Sequence, residues 1–270
     1  MSTEQDQIKE LVKERYGTRA ERVINLTPAE LNHTEGDNCG CSTDGACCGV
    51  EDLDHAMLLY NEGQLAGLPA ESIAASAGCG NPTALAGLQP GERVLDLGSG
   101  GGIDCFLASQ QVGDTGNVTG LDMTPSMLEL ARANKAKLGI TNVDFVQGEM
   151  ERMPIPDSSV DVIISNCVVC LSPDKDAVFT ESFRVLSPGG RIHLSDVMAL
   201  TDEGPSVSSP EDWVSCTAGA EHVDVYRDRL VRAGFKEIEF TSEQVDYMKA
   251  DSERPPTNTA GYKVVARKPS

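Results

Sequence analysis

The stretch Arg93-Val-Leu-Asp-Leu-Gly-Ser-Gly-Gly-Gly-Ile103 passes from a β-branched and aliphatic run straight into four glycines and then into a helical pattern. A strand therefore feeds a glycine-rich turn that opens a helix. Glycine lets backbone amides approach a ligand closely and takes positive φ at no steric cost, so the turn reads as a nucleotide-binding loop. Its spacing is not that of a dinucleotide fingerprint. Counting G-x-G-x-x-G from Gly98 and Gly100 leaves Ile103 at the third glycine position, and Asp96 stands two residues ahead of the first glycine.

Outward from this loop the pattern alternates strand and helix, the signature of a parallel sheet covered on both faces. Strands are expected over 93–97, 117–122, 143–147, 160–165 and 191–196, with helices over 102–111, 125–138 and 174–186. A helix over 221–233 and strands over 236–245 and 261–267 then complete the sheet. The expected fold is α/β and Rossmann-like, a seven-stranded and mostly parallel sheet with an N-terminal Cys-rich arm and a C-terminal extension. Asp122 ends the second strand about 20 residues beyond the glycine turn, where a carboxylate can accept bonds from ribose hydroxyls.

Ahead of the sheet, Ile8, Leu11, Val12 and Tyr16 recur at helical spacing over 3–23, which reads as a solvated amphipathic helix lying on the main domain. Residues 32–49 are turn-rich and carry Cys39, Cys41, Cys47 and Cys48 without the matched C-x-x-C pairs that a zinc site prefers. Helices are expected over 54–67 and 69–77, the second stopped by glycine and Pro82, with Cys79 in the loop and 83–91 leading into the first strand. These shifts divide the chain into residues 1–87, 88–199 and 200–270: arm and lid, binding core, and a substrate-side connector with the closing strands.

The 270 residues carry a formal net charge of −20, from 42 acidic and 22 basic side chains. Nine of the acids and five of the bases lie in residues 1–50, so the excess is spread over the whole body. Nucleic acid is an unsuitable partner for such a surface, and screening in a high-salt cytoplasm would relieve its self-repulsion. No apolar run reaches membrane-spanning length and the first residues are polar, so a cytoplasmic monomer without membrane contact is expected. Nine cysteines in that setting point to metal, metalloid or redox chemistry.

Ligands of open parallel sheets bind beyond the carboxyl ends of the strands. Asp122, Glu149, Asn166 and Cys167 all follow strands there, the connector after the fifth strand returns Cys216 to the same edge, and Cys79 precedes the first strand in a segment able to fold over a ligand. Three thiolates without histidine suit a soft, thiophilic ion. Cys105, on the helix leaving the glycine loop, reads as a small core residue, and His193, within the fifth strand, reads as a core or edge residue. Trp213 either packs near Cys216 or fills the lid. Cys167-Val-Val-Cys170 is a C-x-x-C without the helix N-terminus that lowers a thiol pKa.

Eight motifs, Gly78-Cys79-Gly-Asn-Pro82, Val94-Leu-Asp-Leu-Gly-Ser-Gly-Gly-Gly102, Asp122-Met-Thr-Pro125, Gly148-Glu149, Ile164-Ser-Asn-Cys167-Val168, Leu171-Ser-Pro-Asp-Lys175, Arg184-Val-Leu-Ser-Pro-Gly-Gly190 and Cys216-Thr-Ala-Gly-Ala220, resemble those of the arsenite S-adenosylmethionine methyltransferase family over residues 71–268. The resemblance implies a class I methyltransferase fold, S-adenosylmethionine as cofactor and arsenite or methylarsenite as substrate. It implies that Cys79, Cys167 and Cys216 bind As(III). It also implies that Cys48 or Cys47 pairs with Cys79 in a redox cycle reset by thioredoxin or a small thiol. Cofactor contacts are implied for Asp96, Gly98, Ser99, Gly100, Asp122, Met123, Glu149, Met150 and Asn166. Cys170 departs from the pattern, which has a polar residue such as Asn there, and the arm offers four candidate redox cysteines where the family needs one. Two other functions share parts of this pattern: a C- or O-methyltransferase of the quinone-biosynthesis type, and a zinc or metalloid-binding protein.

Overall fold

The computed structural model describes residues 3–26, 59–78, 80–201, 209, 213, 217–243 and 258–270. Its centre is a seven-stranded sheet in the order β3-β2-β1-β4-β5-β7-β6. The strands are β1 (Arg93–Leu97), β2 (Asn117–Asp122), β3 (Val143–Gln147), β4 (Val160–Asn166), β5 (Leu186–Ala199), β6 (Lys236–Glu243) and β7 (Thr259–Arg267). β1 to β5 pair in parallel, and β7 runs antiparallel to both β5 and β6. The chain order reverses at β1, which pairs with β2 on one side and β4 on the other, and a crevice opens beyond the carboxyl ends of the strands at such a switch point.

The period-two alternation of side chains decides which core each strand residue enters. Val94, Val162 and Ile164 join one core with Phe106, Leu107 and Leu128, from α5 (Ile103–Val112) and α6 (Pro125–Leu138). Leu95, Leu97 and Ile163 join the opposite core with Phe179 and Leu230, from α7 (Lys175–Val185) and α8 (Val223–Ala233). Helices thus cover both faces, as the strand and helix alternation predicts.

Among the described residues four helices precede the sheet: α1 (Glu4–Ile24), α2 (Glu62–Leu65), α3 (Ala70–Ala74) and α4 (Pro82–Ala86). Pro82, expected to stop a helix, instead opens α4, a position where its missing N–H costs nothing. β5 begins at Leu186, five residues before the expected 191, because Leu186 pairs with Val160 before a register shift brings Arg191 opposite Val162. Much of the expected 54–67 helix, and the arm with Cys39, Cys41, Cys47 and Cys48, lie outside the described residues.

The N-terminal helix is also more than a solvated cover. Thr3 caps α1 by accepting from the Asp6 amide. The helix then buries Ile8 and Val12 beside Cys170 and Leu171, and Ala20 and Val23 against Met127 and Leu130. No helix among the described residues is long and apolar enough to cross a membrane.

Candidate functional site

A cavity of about 1000 Å³, counted with its open mouth, lies at the carboxyl edge of β1, β2 and β4. Its floor is the glycine loop. Gly98 holds φ at +67°, and a Cβ there would lie 2.5 Å from Val168, so this position excludes every larger residue twice over. Asp122 is fixed by the amides of Gly100 at 2.9 Å and Thr124 at 2.8 Å, and burial raises its pKa while these donors pull it back. Asp96, Ser99, Met123, Met150, Asn166 and Cys167 complete the set of expected contacts that line this cavity.

Glu149 is brought elsewhere. β3 ends at Gln147, and the turn that follows, with the Arg152 amide bonded to the Glu149 carbonyl, directs Met150 and Glu151 inward instead. The Glu149 carboxylate meets Lys9 Nζ at 2.7 Å beside a separate recess, and Lys9 holds its pKa below the ordinary range. Glu151 lines the main cavity, accepts from Ser172 Oγ at 2.6 Å and lies 3.3 Å from Lys9 Nζ. With Val12 and Tyr16, Lys9 makes α1 a wall of the cavity.

A polar network also absent from the sequence-based expectations sits at the cavity's back. Asp104, in the first turn of α5, receives the Tyr60 hydroxyl at 3.1 and 3.0 Å and the Asn166 amide at 3.3 Å. Asn166 donates further to the Gly80 carbonyl at 2.7 Å and accepts from the Gly80 amide at 3.0 Å. A Cβ on Gly78 would overlap the Asn166 side chain, so the residues on either side of Cys79 are both set against Asn166. Burial pushes Asp104 up to about 6, against the pull of Asn166 and Tyr60. Asp96 is raised well above its usual range by burial and then by the charge of Asp104, and among the described residues the Cys105 thiol alone donates to it, at 3.2 Å.

Cys79 and Cys216 lie outside the described residues, while Cys167 is described and disulfide-bonded. Cys167 holds φ at +57° and packs with Val197 and Ala220. Gly219 comes so close to the Cys170 carbonyl that only glycine fits there. Cys105 and Cys170 are buried thiols outside any disulfide, and His193, expected at the core or an edge, is a buried strand residue that burial pushes down to about 4. Trp213 donates its Nε1–H to the Leu171 carbonyl at 3.0 Å and packs with Cys170.

The residues present fit S-adenosylmethionine. The cavity joins apolar walls from Met123, Met127 and Met150 to four carboxylates, Asp96, Asp104, Asp122 and Glu151, and the buried Ser99 hydroxyl has no partner among the described residues. A cationic nucleoside uses each of these features.

Known proteins agree. Residues 88–248 match the methyltransferase domain family. The arsenite methyltransferase of Halobacterium salinarum is 42% identical over 243 residues, 87% of this chain and 59% of that protein. The crystal structure of an arsenic (III) S-adenosylmethionine methyltransferase from Chlamydomonas reinhardtii superposes with a TM-score of 0.62 at 37% identity, covering 77% of this chain and 72% of that one. The chain belongs to the arsenite methyltransferase family. It spans about three fifths of the length of the curated arsenite methyltransferase from Halobacterium salinarum. Its kinship to the ubiquinone/menaquinone biosynthesis C-methyltransferase of Vibrio campbellii, 45% over 108 residues, covers 39% of this chain and 41% of that protein.

Within this class I methyltransferase fold, Asp104, Tyr60, Glu151 and Lys9 are what sequence reasoning missed. A signal for Asp104 existed: it is the one acid in Ile103-Asp104-Cys105-Phe106-Leu107-Ala108, a helix start without a polar face.

Proposed function

We propose that this chain methylates trivalent arsenic held by the thiolates of Cys79, Cys167 and Cys216, with S-adenosylmethionine in the cavity described above. The observation that carries this reading is a convergence at the end of β4. Gly78 and Gly80, on either side of Cys79, bear on Asn166, and Gly219 and Ala220, just past Cys216, bear on Cys170 and Cys167. Three separate segments of the chain thus meet where Cys167 lines the cavity. Thiolates without histidine select a soft ion, and relatives named for arsenite carry the same reading.

The cofactor, when bound, supplies an electrophilic methyl group on a positively charged sulfur. Gly98, Ser99 and Gly100 would cradle its polar end, Asp122 would accept from ribose hydroxyls, and Asp96, Met123, Met150 and Asn166 would complete the contacts. Glu149 keeps a weaker claim, because Lys9 already engages it. Arsenic bound to thiolates keeps its lone pair, so the As–C bond forms as the C–S bond breaks and no general base has to take a proton. The site's task is alignment and the exclusion of water, which α1 assists as a wall over the cavity.

Methylation oxidises arsenic by two electrons. Two thiols closing a disulfide return them, and Cys79 with Cys48 or Cys47 is the proposed pair, reset by thioredoxin or a small thiol through exchange. Cys167 is disulfide-bonded here, so the arsenic-binding form is the reduced one.

Incubation with arsenite, S-adenosylmethionine and a thiol reductant, followed by arsenic speciation, tests this reading. Methylated arsenic is expected, and Cys167→Ser should abolish it. Absence of product from the reduced wild-type chain would overturn the function. Full activity of the Cys167 variant would overturn the thiol site.

A further inference from the structure

Four carboxylates line the cavity, and they differ in what holds them: Glu151 has Lys9 and Ser172, Asp122 has the Gly100 and Thr124 amides of the loop edge, and Asp96 and Asp104 lie side by side at the back. The Tyr60 hydroxyl reaches Asp104 at 3.0 Å with the Asn166 amide nitrogen at 3.3 Å, whereas Asp96 receives, among the described residues, a thiol. Of the coupled pair Asp96 and Asp104, the negative charge therefore settles on Asp104. The titratable groups around the pair are Tyr60 from the segment before α2, Asp96 on β1, Cys105 on α5 and Asp122 at the end of β2, and every one of them is neutral or acidic. The nearby cation of the cavity wall, Lys9, is spent on Glu149 and Glu151. A buried carboxylate facing a cavity with no cation of its own among the described residues is stable only at a cost, and a cationic ligand removes that cost.

We propose that Asp104 is the counter-charge for the cationic end of the methyl donor, and that Asn166 relays its state to the segment flanking Cys79. This rests on the cavity's being the S-adenosylmethionine site. The relay is physical. The two N–H groups of Asn166 serve the Gly80 carbonyl at 2.7 Å and, shared between them, the Tyr60 hydroxyl at 3.0 Å and Asp104 at 3.3 Å, while its oxygen accepts from the Gly80 amide. A full charge on Asp104 draws that amide in and fixes its plane, and with it both backbone groups of Gly80. A protonated Asp104 competes as a donor and loosens the arrangement. Donor binding and the setting of the loop that carries Cys79 are thereby linked, and by reciprocity a fixed loop favours the donor.

The test is calorimetric titration of the reduced full-length protein with S-adenosylmethionine and with S-adenosylhomocysteine between pH 5 and pH 8. The second ligand keeps the ammonium and lacks the charged sulfur. Wild-type affinity should rise with pH by up to ~tenfold per unit below about pH 6, where Asp104 must lose a proton to meet the cation, and level off above it. Asp104→Asn should weaken the donor by about ten- to a hundredfold and abolish the pH slope. A slope shared by both ligands assigns the ammonium to Asp104, and a slope confined to S-adenosylmethionine assigns the sulfonium. Hydrogen exchange at the Gly80 amide should slow on donor binding in wild type and not in Asp104→Asn. Tyr60→Phe removes one donor from Asp104 and should move the midpoint of the slope to higher pH, which keeps the test sound if Asp104→Asn folds poorly. Donor affinity that is independent of pH in wild type, or unchanged in Asp104→Asn, would overturn the proposal. Failure of the wild-type chain to bind either ligand would instead overturn the cofactor site itself.

Discussion

Asp104 and Asp196 are buried carboxylates in nearly matched surroundings. Each is reached by a tyrosine hydroxyl, Tyr60 at 3.0 Å and Tyr226 at 3.2 Å, and burial pushes each up to about 6. They differ in what balances the charge. Asp196 has the Lys175 ammonium within electrostatic reach, together with the Cys170 thiol and its own strand's Val197 amide. Lys175 is itself buried, donating to the Ser172 carbonyl at 3.0 Å and lying over the Trp213 ring. Asp104 has neutral donors and a cavity. One cluster carries its counter-ion in the sequence, and the other takes it from a ligand. The first is structural and the second functional, although the pKa values alone do not separate them.

The largest expected effect lies in the closed cluster. Lys175→Met leaves Asp196 buried without its cation and should destabilise the protein by about 3 kcal/mol, read by urea unfolding at pH 7. Adding Asp196→Asn should recover most of that loss, because the orphaned charge goes with it. An additive double variant would break the comparison, since it would mean that Lys175 and Asp196 do not pair.

Next comes pH. Both aspartates titrate higher in the folded chain than in the unfolded one, so between about pH 4 and about pH 6 the native state holds more protons. The contribution of each therefore falls as pH rises through that window, by up to about 3 kcal/mol, and is flat above it. Asp104→Asn should remove its own share of the fall and leave the donor-free protein about 1 kcal/mol more stable at pH 7. Asp196→Asn should do the opposite at pH 7, because it strands Lys175. Thermal unfolding across the window distinguishes the two by sign.

The smallest effects are those of the hydroxyls. Tyr60→Phe and Tyr226→Phe should each cost about 1 kcal/mol. Only the first should change donor affinity, measured by titration, and an equal effect from both would merge the two clusters into one.

The glycine loop, the five parallel strands and the alternation that closes the sheet were legible because each leaves a local mark: glycine where φ is positive, and apolar side chains at period two. The start of β5 was less so, because Ser187-Pro-Gly-Gly190 carries turn residues and pairs only through a register shift against β4. Among the site residues, Gly98, Gly100 and Asp122 are marked by motif spacing. Asp104 and Tyr60 are brought together across 44 positions by packing, and no periodicity encodes that. The amphipathic stripe of α1 gave the helix and its apolar face, but which surface that face covers is a tertiary fact, and so Lys9 and Tyr16 were missed as cavity walls. The placing of Glu149 against Lys9 was illegible for the same reason: a residue just past a strand end points wherever the next turn sends it.

The central claim is that three thiolates hold the substrate at the open end of this cavity. X-ray absorption at the arsenic edge, on the reduced protein mixed with one equivalent of arsenite, tests it most directly. An all-sulfur coordination shell is expected in wild type, losing one sulfur in Cys167→Ser and unchanged in Cys105→Ala. An arsenic site with oxygen neighbours in wild type, or a sulfur shell unaffected by loss of Cys167, would contradict it.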